Sequence, residues 1–79
     1  MKEISLTPIQ VNTGSADQNG CLALADGKLV AVFVELTGPE HGDQKGKWFL
    51  EAGFGPCNGA LAMTFSSLDQ AREWLLSIL

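Results

Sequence analysis

The sequence predicts an α+β fold: an antiparallel sheet of four to five strands, in the order β-β-β-β-β-α, packed on one C-terminal amphipathic helix. Three observations carry this. Short apolar segments separated by turn-forming residues run from Ile4 to Phe65. An Asp26-Gly27 pair stands between two of them. It is a strong hairpin signal, because a type I′ turn needs positive φ at both central positions. After Ser66, Leu68, Ala71, Leu75, Ile78 and Leu79 recur at helical spacing, and Trp74 widens the stripe.

Taken in order, Ile4-Ser5-Leu6 alternates apolar and polar, and the alternation changes phase at Pro8 before Ile9 and Val11. Proline cannot donate to a ladder, so residues 3–11 read as a bent edge strand. Asn12 to Gly20 has no apolar period and reads as a loop. Cys21–Ala25 and Leu29–Leu36 form the hairpin about Asp26-Gly27. A long polar connection, Thr37 to Gly46, leads to a strand over Lys47–Phe54. Gly55 to Gly59 is a turn, and Ala60–Phe65 a short last strand. The helix is expected to open with a capping arrangement, Ser66 with Asp69 or Ser67 with Gln70.

The 79 residues are enough for one small domain, 1–79, whose thin core supports a stability of a few kcal/mol. An apolar fraction of 46% is that of a folded chain. Nine acids against five bases give a net charge of −4. That charge argues against nucleic acid and against an anionic membrane surface as partners. It also leaves room for a basic protein partner. No apolar run is long enough to span a bilayer, and Met1 to Ser5 opens no signal-peptide pattern, so a cytoplasmic location is expected. Cys21 and Cys57 then read as thiols, with no disulfide between them.

Aligning strands on the Asp26-Gly27 turn places Leu24 opposite Leu29 and Leu22 opposite Ala31, with Leu36 near Lys47. One face then carries Leu22, Leu24, Leu29, Ala31, Phe33, Trp48, Leu50, Ala52 and Phe54, for the helix to cover. The other carries Val30, Val32, Val34, Leu36 and Phe49, with Cys21 and Ala23 nearby and Glu51 as its main charge. A second face this apolar points to an interface. Either a second copy packs on it, or the N-terminal strand curls over it. A one-residue slip in register would exchange the faces.

Candidate chemistry is sparse. Glu40, His41 and Asp43 in the Thr37–Gly46 loop bring an imidazole and two carboxylates together, the groups for proton transfer or a divalent ion. A solvated loop with charges for solubility accounts for them more simply. Cys57 follows Pro56 in a glycine-rich turn that would expose its thiol. The only base for it, His41, lies at the other end of strand 47–54, roughly 25 Å away. Gly53, Gly55 and Gly59 lack the spacing of a phosphate-binding loop and read as tight packing against Trp74.

The expectation is therefore a non-enzymatic interaction module, a homodimer through Val30, Val32, Val34 and Phe49, with no cofactor. The alternative is a small ligand- or metal-binding domain using Glu40, His41 and Asp43.

Overall fold

The computed structural model describes residues 3–12, 18–59 and 63–79, with the side chains of 39–41 left out. Five strands form one antiparallel meander in the order β1-β2-β3-β4-β5: β1 Ile4–Gln10, β2 Asn19–Ala25, β3 Lys28–Glu35, β4 Trp48–Gly53 and β5 Thr64–Phe65. A helix, α1, follows over Leu68–Ile78. This is the expected α+β arrangement. Of the expected final strand, only Thr64–Phe65 is a described strand, and residues 60–62 lie outside the described ones.

The hairpin turn forms as its chemistry requires, with Asp26 at φ 52° and Gly27 at φ 84°. Asp26 also anchors the start of β1. Its Oδ1 accepts from the Glu3 amide at 3.0 Å, and its own amide donates to the Glu3 carbonyl at 2.9 Å. β1 is an edge strand, which tolerates the missing donor of Pro8. The loop expected over Asn12–Gly20 is shorter than its composition suggests. Asn19 and Gly20 belong to β2, pairing with Gln10 and Ile9, and Val11 donates to the Gln18 carbonyl at 2.7 Å.

Two bulges reset the faces. Leu24 stands opposite Leu29 as expected, but Ala23 stands opposite Ala31, so Val30 is an extra residue and Leu22 meets Val32. In the next pair Val32 faces Ala52 while Phe33 faces Leu50, so Glu51 is extra. The slip moves Leu22, Leu24 and Leu29 off the helix side and brings Cys21 and Ala23 onto it. Ala52 likewise changes side.

The helix side is the core. Ala23, Ala31, Phe33, Leu50 and Phe65 pack with Ala71 and Leu75 of α1, and Ile4, Val30 and Cys57 complete the cluster. Phe33, Ala23, Ala31, Ala71 and Leu75 are wholly buried. The alanines let the helix approach the sheet closely, and the aromatic side chains fill the space that remains. The Phe65 ring meets Phe33 edge-on at 5.7 Å and Trp74 at 5.4 Å. Ser67, not Ser66, is the N-cap, its Oγ accepting from the Gln70 amide at 3.2 Å. Gln70 reaches back to the Ser66 amide at 3.1 Å. Of the expected buried stripe, Leu79 packs against the core but Ile78 is 37% exposed.

Candidate functional site

Cross-strand partners project to the same face of a sheet, so the register defines what faces away from the helix. One row across this second face is Thr7, Leu22, Val32 and Ala52. The next is Ile9, Gly20, Val34, Phe49 and Thr64. Toward the hairpin turn lie Leu24 and Leu29, with Phe54 beside them, its amide bonded to the Val30 carbonyl at 2.9 Å. None of these register positions carries a charge; exposed Glu51, the extra residue between Leu50 and Ala52, is the charge that borders them.

Ile9 is 41% exposed, Leu29 40% and Phe54 46%, three of the five large apolar side chains most open to solvent among the described residues. Leu22, Leu24, Val32, Phe49 and Ala52 are half-buried. β1 does not curl over this face. It lies at the sheet edge, paired with β2 along its whole length. Among the described residues of its continuation, Val11 occupies the space above Gly20, where a Cβ would stand, and Gly20 is paired with Val34.

Of the four residues expected to form an interface, Val32 and Phe49 lie on this face and are half-buried. Val34 lies there too but is only 2% exposed. Val30 is instead drawn into the helix-side core by the bulge, at 8% exposure. The residues missed by the sequence reading are Ile9, Leu22, Leu24, Leu29 and Phe54. They become visible only once the bulge fixes the register.

The Thr37–Gly46 connection is largely a 3-10 helix over Pro39–Gln44, broken at Gly42 by a φ of 56°. It contains Glu40, His41 and Asp43. The side chains of Glu40 and His41 lie outside the described residues, and Asp43 is exposed. Among the described residues no group of His, Cys, Asp and Glu is assembled as a metal site.

The thiol of Cys57 is not exposed as its turn suggested. Gly55–Cys57 is a short 3-10 turn folded back onto β4, and Cys57 is 1% exposed within the core. The glycine that permits this is Gly53, whose missing Cβ leaves room for the Cys57 carbonyl, not for Trp74. Cys21 and Cys57 are both free and buried, and burial raises the pKa of each thiol. At Cys21 a hydrogen bond from the Thr7 backbone partly opposes this. Such thiols are poor nucleophiles.

A second feature lies on the helix side, at the end of the sheet nearest the Thr37–Gly46 connection. Pro8, Ile9, Gln10, Asn19, Gly20, Glu35 and Trp48 line an open groove of about 380 Å³. No described helix is long and apolar enough to cross a membrane. No family model, curated protein or solved structure matches the chain.

Proposed function

We propose that this protein is a non-enzymatic interaction module that pairs with a second copy of itself through the sheet face opposite α1. The observation that supports this reading is the uncharged surface formed by Ile9, Leu22, Leu24, Leu29, Val32, Phe49 and Phe54, with exposed apolar side chains at both ends. A chain of net charge −4 repels its own copy everywhere except where charge is missing. Two such faces can meet without desolvating an ion. They would pack about 10 Å apart, related by a two-fold axis.

The size of the face sets the strength. Four strands at about 4.8 Å spacing and some six residues at about 3.3 Å give roughly 400 Å² per copy. That is about half of a standard interface, so the dimer is weak and responds to concentration. Amide chemical shifts followed over a dilution series test the reading. Concentration-dependent shifts confined to Leu22, Leu24, Val32 and Phe49 are the expected result. Shifts confined to α1, or none, refute it.

A further inference from the structure

One register row of the sheet gathers side chains that lie far apart in sequence. Gln10 pairs with Asn19, Glu35 with Trp48, and Trp48 with Phe65. Asn19 precedes Gly20 as Glu35 follows Val34, so continuing the Gly20–Val34 register places Asn19 beside Glu35. The row starts under α1, where Phe65 is 8% exposed, and runs out to the open groove at Gln10, Asn19, Glu35 and Trp48. Trp48 is half-buried and packed against the core, so its ring is fixed.

The one formal charge among the groove-lining residues is the Glu35 carboxylate, an acceptor; the Gln10 and Asn19 side-chain amides offer both donors and acceptors, and the Trp48 indole one donor. Gln10 Nε2 donates to Asn19 Oδ1 at 3.0 Å, a bond that uses one donor and does not engage Gln10 Oε1. Glu35 is half-buried on a central strand, with no cation among the groove-lining residues. A ligand that answers the Glu35 carboxylate beside Trp48 brings donors and positive charge, and tolerates an indole face. Guanidinium does all three. It has five donors and no acceptor, stacks on aromatic rings, and meets a carboxylate with a planar fork. A neutral sugar brings hydroxyl groups but no charge for Glu35. A bare ammonium lacks the planar face.

We propose that the groove binds a guanidinium group, stacked on Trp48 and paired with Glu35, with Gln10 Oε1 as a further acceptor. Cross-strand neighbours stand about 5 Å apart at Cβ, so one guanidinium spans the ring and the carboxylate. Trp48, Glu35 and Gln10 lie on the face opposite the proposed dimer contact; Ile9 lines the groove and also borders that contact, but the site does not depend on it. An open groove of this size holds a single small group, and millimolar affinity is expected.

The test is a titration with methylguanidinium, followed by the Trp48 indole N–H and the Gln10 and Asn19 side-chain amides. Methylurea, its neutral isostere, and glucose are titrated in parallel. An acetyl-Gly-Arg-Gly-amide arm separates a free cation from an arginine side chain, which would bind more tightly. Saturable shifts with methylguanidinium, none with methylurea, and at least tenfold weaker binding in Glu35→Gln are expected. Equal shifts with methylurea, saturable binding of glucose in place of methylguanidinium, or no shift at Trp48 overturns the proposal. The methylurea comparison uses the unaltered protein, so it stands even if Glu35→Gln folds poorly.

Discussion

Leu24 stands directly opposite Leu29, and both point away from α1. Leu29 is 40% exposed there, an apolar side chain on a strand whose other face buries Val30, Ala31 and Phe33. Leu29→Lys is therefore expected to leave stability within about 0.5 kcal/mol of the parent, as surface changes do. The same change puts a charge in the proposed contact and is expected to abolish self-association. Thermal melting in dilute solution checks the first part, and sedimentation velocity the second.

Val11 fills the space over Gly20. Gly20→Ala places a methyl group there, with the Ile9 and Phe33 carbonyl oxygens each 3.2 Å away. Overpacking of this kind costs about 1–3 kcal/mol. Val11→Ala in the same chain is expected to return part of that loss, because the side chain gives way where the backbone cannot. Urea unfolding of the two single variants and the double variant measures the coupling.

The Ser67 hydroxyl satisfies the Gln70 amide at the start of α1. Ser67→Ala is expected to cost about 1 kcal/mol. Ser66→Ala is expected to cost much less, since it is the Ser66 backbone amide, not its hydroxyl, that meets Gln70. Denaturant midpoints of the two variants decide which serine is the cap.

Burial raises the pKa of both thiols above the ordinary value of 9.0. The folded chain then holds protons that the unfolded chain releases, so this contribution is complete below pH 9 and is lost as pH rises through the folded values. Stability should be flat in this respect at pH 7–8 and fall above about pH 9. Cys21→Ala/Cys57→Ala should show a shallower fall. A disulfide reagent at pH 8 is expected to label neither thiol in the native protein and both in urea.

What could be read from residues alone has a physical pattern. Asp26-Gly27 dictates its own turn, and the spacing of Ala71 and Leu75 dictates the buried side of α1. Register is different. Val30 to Val34 is apolar at every position, so it has no phase to reveal that Val30 is a bulge. One extra residue then exchanged Leu22 and Leu24 for Cys21 and Ala23. Two apolar faces were legible, but not which residues form each. The groove was invisible for a related reason. Gln10, Asn19, Glu35 and Trp48 lie on four different strands, and only the pairing brings them into one row.

The central claim is that the uncharged face opposite α1 joins two copies, and molar mass in solution tests it most directly. Light scattering across a range from micromolar to millimolar should show the mass rise from 8.4 kDa toward twice that value. A mass that stays at 8.4 kDa up to millimolar concentration would contradict the account.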